Sequence, residues 1–149
     1  MVISQANLQD FEVLVELASR LNEECGHFER VKLSAINSSV RRCLSDSSKV
    51  VLVIREPVRV VGFAVVSEVG SLCSGSNGLI SELYILPERR GDGLAKALLS
   101  AVNEYAINRQ WRCVEIGSPT RFPVESYVFY LRNGFDEINP RLRRVLFHV

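Results

Sequence analysis

Apolar residues follow two different spacings along this chain. Leu8, Phe11, Leu14, Val15, Ala18 and Leu21 recur at the helical period and predict a helix that buries one face. Asn7 precedes them as an N-cap, and Asp10 stands three residues on, where a capping box needs an acceptor. Leu33, Ile36, Val40 and Leu44 repeat the spacing and predict a second helix ending near Asp46-Ser47-Ser48. The pattern then changes. Lys49–Arg55 and Val58–Glu68 are dense in β-branched residues and meet across Glu56-Pro57, which predicts a hairpin. Val2–Gln5 and Leu79–Leu86 (LISELYIL, stopped by Pro87) predict two more strands. Helical spacing returns from Gly93, with Leu94, Leu98, Ala101, Val102 and Tyr105 on one face. Trp111–Gly117 predicts a strand, and Pro123 opens a helix that runs through Arg132 and stops at Gly134. Phe135–Val149 holds one or two strands around Asn139-Pro140.

The order is β-α-α-β-β-β-α-β-α-β(-β). A three-strand meander combined with two crossover helices predicts a mixed sheet with helices on both faces, an α/β or α+β fold. The Gly/Ser-rich stretch Gly70–Gly78 reads as a loop between two strands. With 149 residues and no linker, residues 1–149 are expected to form a single domain. Hydrophobic residues at 47% exclude a disordered chain. The apolar runs Val50–Ile54 and Val60–Val66 fall far short of the roughly 20 residues of a membrane helix. The N-terminus lacks the basic region of a secretory signal. Cys25, Cys43, Cys73 and Cys113 are spaced by 18, 30 and 40 residues with no C-x-x-C pair, so no metal site is expected and the cytoplasm is the expected location.

Charge narrows the partners. The net charge of +1, from 18 basic and 17 acidic side chains, excludes bulk electrostatic binding to nucleic acid. The balance is uneven: residues 1–30 carry six acids and two bases, and Arg109–Val149 carries seven arginines and four acids.

The chemistry concentrates in Leu83–Leu99 (LYILPERRGDGLAKALL). A strand stops at Pro87, a turn holds Arg89, Arg90, Gly91, Asp92 and Gly93, and a helix follows. Gly91 and Gly93 let a ligand approach the backbone, and the free N–H groups and dipole of the first helical turn favour an anion, above all phosphate. Arg90 can add a charge-assisted hydrogen bond. Arg89 reads as an ordinary solvated charge, and Asp92 as a side chain turned to water. A Walker loop is absent, and the dinucleotide fingerprint fails at Lys96, where it needs glycine or alanine. The pattern [RQ]-x-x-G-x-[GA] fits at Arg90, Gly93 and Ala95.

This segment resembles the coenzyme A-binding motif of the GNAT superfamily of N-acetyltransferases. Phe129–Phe135 (FYLRNGF) resembles that family's FY-x-x-x-GF segment. The resemblance implies a GNAT-like mixed sheet of six to seven strands flanked by about four helices, with acetyl-CoA as co-substrate and no metal. It implies pantetheine contacts at Leu83, Tyr84 and Ile85. Pyrophosphate contacts would fall at Arg90, Gly91, Asp92, Gly93, Leu94, Ala95 and Lys96. It also implies that Tyr130 protonates the departing thiolate; the alternative for Tyr130 is core packing beside Val124, Tyr127, Val128 and Leu131. Many relatives carry an asparagine between the fifth strand and the last helix; here that stretch is GSPTRFPVES, without one.

The implied reaction is direct attack of an amine on the thioester in a ternary complex. An ammonium must first lose a proton, and the candidates for that base are Glu82, Glu115 or a water chain. The acceptor is a primary amine on a small molecule or a protein. An acyl-CoA-binding sensor without catalysis is the alternative. Neither nucleic acid nor membrane is an expected partner, and pairing of a terminal strand across a two-fold axis would give a homodimer.

Overall fold

The computed structural model describes residues 1–25, 31–117 and 124–138, with Arg144 and Leu146. Its elements are β1 (Val2–Gln5), α1 (Phe11–Glu24), α2 (Leu33–Ser45), β2 (Lys49–Arg55), β3 (Val60–Ser71), β4 (Gly75–Ile85), α3 (Leu94–Asn108), β5 (Val114–Ile116) and α4 (Val124–Arg132). Short 3-10 turns, Leu8–Asp10 and Pro87–Arg89, precede α1 and α3. The five strands form one sheet in the order β1-β2-β3-β4-β5, and β1 to β4 pair antiparallel in succession. This is the expected mixed α/β architecture. The chain forms two compact units, Met1–Glu115 and Ile116–Val149.

Strand alternation explains the continuous apolar runs. Phe63 pairs with Tyr84, whose hydroxyl donates to Glu24 at the end of α1. Phe63, Val65 and Ser67 therefore face α1 and α2. Glu68 accepts from the Trp111 indole and from Arg109, both just beyond α3, so Gly62, Ala64, Val66 and Glu68 face the other way. A strand covered on both faces needs apolar residues at every position, and Val50–Ile54 and Val61–Val66, apart from Gly62, belong to the core. Leu94, Leu98, Leu99, Val102 and Ala106 bury the matching stripe of α3.

The start of α1 is built as its sequence suggests. The Asn7 side chain accepts from the Gln9 N–H at 2.8 Å, and the Asn7 N–H donates to Asp10 at 2.9 Å. The box opens the 3-10 turn, which then runs into α1. Asp10 is buried and receives two hydrogen bonds from Arg55, both 2.7 Å, and Arg55 also donates to Ser4. These bonds hold the Asp10 carboxyl below its ordinary range.

Two expectations differ from the structure. Only Leu72–Ser74 of Gly70–Gly78 is a connection: β3 and β4 extend into the stretch from both sides, with Glu68 opposite Gly78 and Ser71 opposite Gly75. A Cβ on Gly78 would lie 2.5 Å from the Trp111 ring, so the missing side chain admits the indole; composition alone reads the same glycine as flexibility. The sheet of the described residues has five strands where six to seven were expected. Phe135–Ile138 are irregular, and most of the remaining stretch to Val149 lies outside the described residues, as do Pro123 and residues 118–122. Among the described residues no helix is long and apolar enough to cross a membrane.

Candidate functional site

The site grows from an irregularity in β4. Val65 pairs with Glu82 and Val66 with Ile80, which leaves Ser81 as an extra residue. Such a bulge interrupts the ladder and bends the strand. Beyond it, Glu82 and Tyr84 share the face of α1 and α2. Glu82 is exposed to solvent, yet desolvation raises its carboxyl pKa, with the Lys49 charge opposing. Burial raises the thiols of Cys25 and Cys43, and the Glu82 charge adds to it at both, so Glu82 lies near the ends of α1 and α2. Leu83 is half-buried, and Tyr84 and Ile85 are buried.

Ion pairs fix the turn after β4. Glu88 pairs with Arg59 at 3.0 Å, and Arg89 pairs with Glu56; both partners lie in the β2–β3 connection. Arg89 also holds Asp92 within the turn. One sequence expectation is corrected here. Arg89 is a half-buried cross-link between hairpin and turn, because its guanidinium can serve two carboxylates at once. Asp92 is exposed, as expected, and pairs with Arg89 from there. Gly91 and Gly93 take φ of +87° and +78°, the left-handed region that glycine alone enters freely, and a Cβ on either would meet nothing within 4 Å. Gly93 caps α3 without a side-chain bond. The first N–H groups of α3 have no carbonyl one turn earlier within the helix. Open space beside donors that the helix itself does not use fits a phosphate group.

Arg90 turns back along β4. Its Nε donates to the Ile85 carbonyl at 2.9 Å, and its guanidinium carbon lies 5.5 Å from the centre of the Tyr84 ring. Its Nη2 donates to Glu24 at 2.7 Å, and the other Glu24 oxygen accepts from the Tyr84 hydroxyl at 2.7 Å. Burial first, then the bond to Glu24, pushes the Tyr84 phenol up to about 12. A hollow of about 410 Å³ opens here, lined by Arg20, Glu23, Glu24, Tyr84, Pro87 and Glu88. Sequence reading missed Glu24, Glu56, Arg59 and Ser81. The first three act across long separations, and a bulge leaves no local composition signal.

In the second unit, α4 presents Tyr130, which is buried beside Phe129 and Phe135 at ring-centre distances of 5.3 and 5.5 Å. Burial pushes its phenol up to about 12. Gly134, at φ +89°, ends the helix, and the Phe135 N–H returns to the Tyr130 carbonyl. Glu115, half-buried on β5, belongs to the first unit.

Residues 47–137, more than half of the chain, match the family model described as Acetyltransferase (GNAT) domain. No curated protein sequence matches. Among solved structures, the ribosomal-protein-alanine N-acetyltransferase from Brucella melitensis biovar Abortus 2308 is 20% identical with a TM-score of 0.78, over 97% of this chain and 100% of that one. The aminoglycoside N-acetyltransferase AAC(6')-Iy in complex with CoA is 24% identical with a TM-score of 0.76, over 99% and 93%. The aminoglycoside 6'-N-acetyltransferase AAC(6')-IG from Acinetobacter haemolyticus is 14% identical with a TM-score of 0.81, over 100% of both chains. At such identities these structures show a shared fold. Together with the family match, they establish that the chain belongs to the GNAT acetyltransferases.

Proposed function

We propose that the protein is an acetyl-CoA-dependent N-acetyltransferase that acetylates a primary amine by direct attack in a ternary complex. The observation that carries this reading is the passage from β4 into α3. A bulged strand runs into a pinned turn, and two positive-φ glycines leave open space before the start of a helix. In this reading Leu83, Tyr84 and Ile85 form the backbone ledge for pantetheine. The turn and helix start, Arg90, Gly91, Asp92, Gly93, Leu94, Ala95 and Lys96, hold the pyrophosphate. The backbone N–H groups do most of this, because Asp92 is held by Arg89.

Bound acetyl-CoA supplies the thioester, and the chain supplies orientation and proton transfer. Glu82 takes the proton of the acceptor ammonium, directly or through water. Its raised pKa supports this role, since a base works best when its pKa approaches the working pH. Glu115 is the second candidate. Tyr130 donates a hydrogen bond from its hydroxyl to the departing sulfur as negative charge develops there. We further propose that both compact units act as one acetyltransferase domain, which the family match across residues 47–137 supports.

The test is a coupled thiol-release assay with acetyl-CoA and a panel of amines: polyamines, amino acids, aminoglycosides and peptides with free N-termini. Amine-dependent release of CoA is expected with at least one class. Binding of acetyl-CoA without release for any amine would overturn the enzyme in favour of an acyl-CoA sensor.

A further inference from the structure

We infer that Glu24 competes with the cofactor's pyrophosphate for the Arg90 guanidinium, so that the end of α1 sets the affinity of the neighbouring turn for its anionic ligand. The inference rests on the proposed cofactor site. Arg90 is the first residue of the turn motif, but its guanidinium does not lie free over the helix start. It is drawn back to Ile85 at 2.9 Å and to Glu24 at 2.7 Å. Arg89 is committed to Glu56 and Asp92, so Arg90 is the arginine of the turn held by a single carboxylate.

That carboxylate is placed to compete. Both members of the pair are partly exposed, with side chains 46% and 38% accessible, so the pair is weak enough to exchange. The pair matters to α1 as well. Glu24 is the last residue of that helix, and no basic side chain stands in its last turn. Acidic side chains at a helix C-terminus face the negative end of its dipole, and a cation there is favourable. Arg90 supplies the cation from the turn. When pyrophosphate takes Arg90, the last turn of α1 loses that support and Glu24 is left bonded to Tyr84 beside the hollow. Glu24 is thus a positioning residue that acts through Arg90.

The test is a double-mutant cycle on CoA affinity, measured by calorimetric titration with wild type, Glu24→Gln, Arg90→Gln and the double variant. Glutamine keeps an acceptor for Tyr84 and removes the charge. Glu24→Gln is expected to tighten CoA binding roughly two- to fivefold, the scale of one exposed ion pair. Arg90→Gln is expected to weaken it, and Glu24→Gln is expected to have no effect in the Arg90→Gln background. A merely structural Glu24 would weaken binding when changed. Weaker or unchanged affinity in Glu24→Gln overturns the inference, because Glu24 would then be holding Arg90 in place for the phosphate or doing nothing to it. Equal tightening with and without Arg90 also overturns it, because the effect would then be general charge. If wild type binds no CoA, the proposed function fails first, which separates the two failures.

Discussion

Glu82 is open to water and crowded by protein at once, and its raised pKa follows from the crowding. The folded state then holds the Glu82 proton more tightly than the unfolded chain does. Stability from this group is complete below the unfolded carboxylate range, about pH 4.3, and is lost as pH rises through the raised value. Glu82→Gln should therefore raise the melting temperature slightly at neutral pH and leave it unchanged near pH 4, by calorimetry at both. Equal destabilisation at both would show that the carboxylate makes a needed bond. Turnover in the same variant should fall about a hundredfold, the scale of losing a general base. Tyr130 presents the opposite case. A phenol near 12 gives its proton to a thiolate of ordinary pKa, about 8.5, only uphill. Its contribution is then a hydrogen bond to the developing charge, and Tyr130→Phe should cost about a hundredfold in turnover with CoA affinity intact. Unchanged turnover would reassign Tyr130 to the packing it shares with Phe129 and Phe135. At this scale the glycines of the turn were legible in sequence because backbone conformation is a local property. The partners of Arg89 and Arg90 were not, because Glu56 and Glu24 reach them only through the fold.

Elements impose their own limits on the site. β3 and β4 approach so closely that a Cβ on Gly62 would lie 2.6 Å from Ile85 Cδ1 and 2.7 Å from the Tyr84 carbonyl. The methyl of Ile85 can rotate aside, but the carbonyl belongs to the strand. Gly62→Ala should therefore shift the ledge at Tyr84 and Ile85, lowering stability by about 1–3 kcal/mol and weakening CoA binding with it. A denaturant midpoint unchanged from wild type would show that the strands part without cost. The other end of the sheet depends on charge. Asp10 closes the capping box and takes two bonds from Arg55, so Asp10→Asn should cost about 2 kcal/mol at neutral pH. Because the Asp10 pKa is lowered, that stabilisation is present above about pH 3.9 and is lost as pH falls through the lower folded value. Urea unfolding of wild type and variant should converge in acid. The capping box and the helical periods of α1 to α4 could be read from the chain, since each is written within a few residues. The hairpin through Gly70–Gly78 could not, since its glycine serves the ring of Trp111, far along the sequence.

At the scale of the whole molecule, near-neutrality conceals how an anion is to be held. The chain carries +1 in total, with six acids against two bases in residues 1–30. Long-range attraction for a polyphosphate is therefore weak, and the acidic N-terminal part opposes it. What remains is contact: backbone donors at the start of α3 and a guanidinium shared with Glu24. Contacts of this kind are screened much less than separated surface charges, whose fields decay within about 8 Å at physiological ionic strength. The prediction is that CoA at about a hundred times its dissociation constant stabilises the protein by about 2.7 kcal/mol. For a chain of this length that raises the melting temperature by about 5–10 °C. Most of the shift should survive when sodium chloride is raised from about 0.05 M to about 0.5 M, a range over which an electrostatic binder with several phosphate contacts loses orders of magnitude in affinity. A thermal melt at the two salt concentrations decides the matter. A shift that collapses in high salt would mean that diffuse charge, and not the glycine turn at the head of α3, holds the ligand.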